Sequence, residues 1–238
     1  MYKLPTRPSR LALIALLFVS LYGFGQLPTA DTWFMHTMGG DLRKATFSKD
    51  AVLFEYVGRE GDPKMTEKMS VEKRLDNNLI LVKSEKKSNK YILFQLAEAE
   101  DGSRLDIIPV EMGNEAKALA ANNENHAVAE WKSLMAQSWY SPAQIEQLEK
   151  APGLDEVSRE DLMTSLQWRD ELAQKLEAYF EANPDANQFI VYRFIDGFRN
   201  RKLVELGYNP FKRVVFNFEE KFKDDPELIK LLTEEVKF

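Results

Sequence analysis

Along residues 31–112 the apolar positions recur with a period of two, in short runs parted by turn-forming residues. That spacing places alternate side chains on one face of a β-strand. It predicts strands over Thr32–Met38, Leu42–Phe47, Ala51–Val57, Glu67–Leu75, Leu79–Val82, Tyr91–Leu96 and Leu105–Val110. The breaks fall at Gly39-Gly40, Gly61-Asp62-Pro63, Asp76-Asn77-Asn78, the lysine-rich turn before Tyr91, and Asp101-Gly102, combinations that end strands and form turns. In the third strand Val52, Phe54 and Tyr56 share one face while Ala51, Leu53 and Val57 share the other. Two apolar faces predict cover on both sides. Pro109 has no N–H to give to a ladder, which places it at an edge or a strand end. No helix-length segment separates these strands, so parallel crossovers are not expected. About seven short strands joined by close turns make an antiparallel meander, either a barrel or a curved sheet.

From Glu115 the period lengthens to 3.6. Glu115–Gln137 is rich in Ala and Glu, with Asn122-Asn123 and Asn125 weakening its middle. Ser141-Pro142-Ala143-Gln144 starts a helix: serine caps, proline takes the first helical position, and glutamine stands where a capping box needs it. Pro152-Gly153 ends it. Ser158-Arg159-Glu160-Asp161 opens the longest helix, with Leu162, Leu166, Leu172, Leu176 and Tyr179 as its apolar stripe and Asn183-Pro184 as its stop. Asp185–Gln188 starts another, which runs to Gly207, a left-handed C-terminal stop. Phe211–Phe222 fits helix and strand equally, and Asp225-Pro226 begins a last short helix. Nine of the 15 phenylalanines lie from Phe180 onward, so this half needs a core of its own or must dock on the sheet. The expected fold class is therefore α+β: an antiparallel β domain over 26–113, then a helical domain, or a helical extension packed on the sheet, over 114–238.

The N-terminus reads as a leader. Lys3, Arg7 and Arg10 precede the apolar run Leu11–Leu21, and small residues at Gly23 and Gly25 give the spacing of a signal-peptidase site. The fifteen residues Leu11–Gly25 fall short of the roughly 20 that a membrane-spanning helix needs. Residues 1–25 are thus expected to be a signal peptide, and the remainder secreted or periplasmic by bacterial-type export. The chain has no cysteine, which excludes lipidation at the cleavage site, disulfides and thiol chemistry alike. An exported chain without disulfides must bury a sufficient core unaided.

The formal charge is −6, and loss of the three basic leader residues takes it to −9. Nucleic acid is a poor partner for such a chain, since binding there rests on neutralising phosphates. Lys83, Lys86, Lys87 and Lys90 cluster at a turn and read first as a solvated tip. The two histidines, His36 and His126, limit metal and general-base chemistry. His126 and Glu130 share a helical face, but zinc asks for three or four ligands. Phosphate loops, a Gly-x-Ser-x-Gly elbow and calcium loops are absent. No catalytic residue, metal site or cofactor is assigned. Trp131, Trp139, Tyr140 and Trp168 can form either a sugar-stacking surface or packing between helices.

Trp33 in the first strand, the glycine-rich turns and the run of hairpins over about 80 residues resemble small lipocalin-type exported barrels. Asp31-Thr32-Trp33 stands where lipocalins carry Gly-x-Trp, and the strand count is one short of eight. No family is assigned on these features. The function expected is that of an exported, non-enzymatic binding protein for a protein partner or an apolar small molecule. In a hollow barrel the ligand would meet the inward positions Trp33, Phe54, Tyr56 and Phe94. The rival expectation is a hydrolase of envelope polymers with paired carboxylates as acid and base.

Overall fold

A computed structural model describes residues 28, 31–37, 41–57, 63–86, 90–122, 128–212 and 217–233. The signal peptide expected over residues 1–25 lies outside them. Eight antiparallel strands form a closed barrel in sequence order. They are β1 (Thr32–His36), β2 (Leu42–Phe47), β3 (Ala51–Val57), β4 (Pro63–Leu75), β5 (Leu79–Ser84), β6 (Tyr91–Glu98), β7 (Arg104–Met112) and β8 (Gln137–Tyr140). The helices are α1 (Gly113–Asn122), α2 (Pro142–Lys150), α3 (Arg159–Ala182), α4 (Gln188–Glu205), α5 (Phe218–Lys221) and α6 (Pro226–Thr233). The α+β class stands.

The strand count corrects the expected seven to eight. The extra strand starts at the last residue of the stretch Glu115–Gln137, whose period reads as helical, and runs on to the start of the next helix. The stretch holds most of α1 and a 3-10 turn at Glu130–Met135, and β8 follows from Gln137 to Tyr140. β8 pairs with β7 from Arg104↔Tyr140 to Ile107↔Gln137, and meets β1 at Phe34↔Tyr140. It closes the barrel although it follows the first seven strands by two dozen residues of chain.

Local chemistry explains the hairpins. Asn77 and Asn78 both have left-handed backbones, with φ of 59° and 58°, the geometry a two-residue type I′ turn demands and asparagine tolerates. At the turn between β6 and β7, Gly102 takes φ of 66° and Ser103 N–H donates to Asp101 Oδ1 at 3.0 Å. Pro109 lies beyond Ile107, the last β7 residue paired with β8, so its missing N–H interrupts no closed ladder on that side.

The barrel interior is filled. Trp33 faces Ala45 across β1–β2, and Ala45 faces Phe54 across β2–β3, a large–small–large row. From β8, Trp139 reaches the Phe54 ring at 5.6 Å between centroids. Trp33, Ala45, Val82, Leu105 and Trp139 have no solvent-accessible surface at all, so no water-sized void touches them. The strand covered on both sides is β5 rather than β3. Leu79 and Leu81 pack outward with Leu93 and Val110 against Ala116 and Ala120 of α1, whereas Ala51, Leu53 and Val57 stay half-buried.

The helices carry cores of their own. Leu134, Leu172, Leu176, Tyr179, Val191 and Phe198 form one; Val157, Leu162, Leu203, Tyr208 and Leu228 form another. Leu166 of the predicted stripe lies among side chains outside the description. A third cluster docks α2 on the barrel: Tyr140, Ile145 and Leu148 pack with Phe34 and Leu42, covering the short β8–β1 seam. Among the described residues no helix is long and apolar enough to cross a membrane.

The two serine-capped helix starts hold, with one change. Ser141 Oγ accepts from Gln144 N–H at 3.3 Å, and Ser158 Oγ accepts from Asp161 N–H at 3.0 Å. The backbone N–H of Ser141 donates to Ser103 O, and that of Ser158 to Tyr208 Oη. Tertiary partners satisfy the donors that a capping box would close locally.

Candidate functional site

A half-open cleft of about 1020 Å³ lies between one end of the barrel and α4. Its barrel wall comes from the ends of strands: Met35 and His36 on β1, Arg43 on β2, Tyr56 on β3 and Met65 on β4. Met35 pairs with Arg43, and Arg43 with Tyr56, in adjacent registers. Counting by twos along β2, Arg43 shares the inward face with Ala45 and Phe47 of the barrel core. The arginine therefore stands at the barrel mouth, one step above the filled interior.

The second wall is α4, which presents Ile190, Arg193, Phe194, Gly197 and Arg201. Its placement rests on a polar network. Arg104 on β7 meets Glu205 at 2.6 Å and Asp106 at 3.3 Å, and Ser138 Oγ donates to Asp106 Oδ1 at 2.6 Å. Arg201 donates to the carbonyls of Ser133 and Ala136, tying α4 to the turn that precedes β8. Burial pulls the Arg201 guanidinium below its ordinary range, against the raising influence of Asp106. Burial pushes the Tyr140 hydroxyl well up, so it stays protonated.

His36 forms part of the floor. Its ring stacks on Phe211 with centroids 4.8 Å apart and planes 20° apart. Both ring nitrogens are shielded from solvent and have no hydrogen-bond partner among the described residues. Burial lowers its pKa, opposed by the charge of Glu149. A neutral imidazole used as an aromatic plate fits this setting.

The charge of the lining is the reverse of the chain's. Five cationic side chains line the cleft (Arg43, Arg193, Arg199, Arg201 and Lys212) against one carboxylate, Asp196. Asp196 is held by Arg199 at 3.0 Å. Lys212 donates to the carbonyl of Ala151. Arg43 makes no ion pair among the described residues. With apolar and aromatic surface beside them, these cations suit an acidic or amphipathic guest. Carboxylates in a pair, as acid–base hydrolysis needs, are not part of the described lining.

The four positions expected to hold a ligand are divided. Trp33 and Phe54 belong to the packed barrel core, and Phe94 packs against it. Tyr56 alone lines the cleft, where its hydroxyl donates to Asp41 Oδ2 at 2.7 Å. The aromatic set also disperses: Trp139 enters the barrel core, Tyr140 the seam cluster, and Trp131 and Trp168 the helical core. The lysines of the turn have protein partners as well. Lys86 donates to Thr66 O, Lys90 lies 3.7 Å from Glu67, and Lys83 stands over the Tyr91 ring. Lys87 and His126 lie outside the described residues, and Glu130 pairs with Lys175 at 3.1 Å. Sequence reasoning missed Arg43, Arg193 and Phe194. Period-two spacing from Ala45 and Phe47 was the one signal that placed Arg43 inward.

No family model matches the chain, and neither a curated protein nor a solved structure does.

Proposed function

We propose that this is an exported, non-enzymatic binding protein that holds a small apolar or amphipathic molecule in the cleft between the barrel mouth and α4. The carrying observation is the cleft itself, whose about 1020 Å³ matches the upper range of small-molecule sites. Its surface combines methionine and aromatic side chains, the apolar part usual in such sites, with a larger share of polar and cationic groups. The leader over residues 1–25 supports the exported location, secreted or periplasmic.

Native mass spectrometry on protein exported and purified without detergent tests both parts. The expected result is a chain beginning at Gln26 with a reproducible added mass of lipid or metabolite size. An intact Met1 overturns the exported location. A bare chain that also takes up no added amphiphile overturns the small-ligand reading and turns attention to a protein partner.

A further inference from the structure

We infer that the ligand is an anionic amphiphile, its acidic group seated on Arg43 at the barrel mouth and its apolar body lying along Met35, Met65, Ile190 and Phe194. The inference rests on the binding function proposed above and names the ligand's chemistry. Three observations carry it. The cleft gathers five cations and one carboxylate in a chain whose formal charge is −6, so the local sign opposes the global one. Most of these cations are already held: Arg199 by Asp196, Arg201 by two carbonyls beside Asp106, Lys212 by Ala151 O. Arg43 is not in an ion pair among the described residues and is flanked in register by Met35 and Tyr56. A half-buried guanidinium with apolar neighbours binds a carboxylate or phosphate through two parallel charge-assisted hydrogen bonds.

The apolar part has its own surface. Met65 is 60% exposed and Ile190 43% exposed, one on each wall, and Phe194 lies one helical turn from Ile190. Large apolar side chains left open on both sides of a basic cleft suit a molecule with an acidic end and a hydrocarbon body. The shared chemistry of the head is a carboxylate or a phosphate monoester.

Isothermal titration of the full chain with dodecanoate, dodecyl phosphate, dodecanol and dodecylamine, each below its aggregation concentration, tests the assignment. The two acids are expected to bind about ten- to a hundredfold tighter than the alcohol, to weaken with added salt, and to leave the amine weakest. The preferred acid distinguishes a fatty-acid-like source from a phosphate-headed one. Arg43→Gln is expected to remove most of the acid preference and to weaken dodecanol far less than the two acids, with a thermal melt confirming the fold. Equal binding of all four probes, or equal weakening of all four by Arg43→Gln, overturns the anion assignment and leaves the binding function standing. Failure of every probe to bind overturns both.

Discussion

Arg104 on β7 and Glu205 at the end of α4 meet at 2.6 Å, and this contact fixes where the helical wall of the cleft stands over the barrel. Burial would raise the Glu205 carboxyl, but Arg104 and Lys202 outweigh it and hold it below the ordinary range. Both side chains are partly exposed, so Glu205→Gln is expected to cost only about 0.5–1 kcal/mol. Arg104→Leu is expected to cost about 2–3 kcal/mol, because it also strips Asp106 of its cation in a half-buried setting. Urea unfolding of the two variants measures this order. An equal cost would show that Asp106 does not depend on Arg104.

The filled barrel predicts a sharp contrast between two of the aromatic residues. Trp33→Ala removes a side chain with no accessible surface and is expected to cost about 3–5 kcal/mol. Tyr56→Phe removes one hydrogen bond to Asp41 and is expected to cost about 1 kcal/mol or less. Chemical denaturation reads both values. A mild Trp33→Ala would mean that the interior is not packed as described.

Two glycines predict opposite responses to alanine. A Cβ on Gly197, in α4, meets nothing within 4 Å, so Gly197→Ala is expected to stabilise the protein by about 0.5–1 kcal/mol through helix propensity. Gly207 ends α4 with φ of 86°, a conformation that costs a side-chain-bearing residue about 1 kcal/mol or more. Gly207→Ala is therefore expected to destabilise. Thermal melts with opposite shifts satisfy the prediction; shifts of the same sign refute it.

His36 predicts a pH dependence. Its folded pKa lies below the ordinary 6.5 because burial disfavours the imidazolium. Between the folded and unfolded values the unfolded chain binds more protons, so stability rises with pH. The contribution is complete above about pH 6.5 and is lost as pH falls toward the lower folded pKa. His36→Phe keeps the stack on Phe211 and removes the titration. Its melting temperature should change less than the wild type's between about pH 7.5 and 5. Identical slopes would remove His36 as the source.

Much of the fold was legible because it is written in short-range chemistry. Alternation in Val52, Phe54 and Tyr56, the Asp76-Asn77-Asn78 turn, the serines at 141 and 158 and the glycine at 207 each act within a few residues. β8 was not legible. Gln137–Tyr140 is four residues long, too short for a period of two to stand out beside an alanine- and glutamate-rich stretch. It becomes a strand because β7 and β1 offer it a gap to close.

The site shows the same division more strongly. The sequence by itself determined that residues 32–112 alternate as strands, that helices begin at Ser141 and Ser158, and that the aromatic C-terminal half must either build a core of its own or dock on the sheet. Only the tertiary structure decided that Trp33 and Phe54 fill a barrel rather than line a cavity, and that β5 rather than β3 is covered on both faces. It also placed Arg43 of β2 and Arg193 of α4 in the lining of one basic cleft. The physical reason is range: turns, caps and alternation are set by neighbours along the chain, whereas burial and local charge depend on which distant segments the closed barrel brings together.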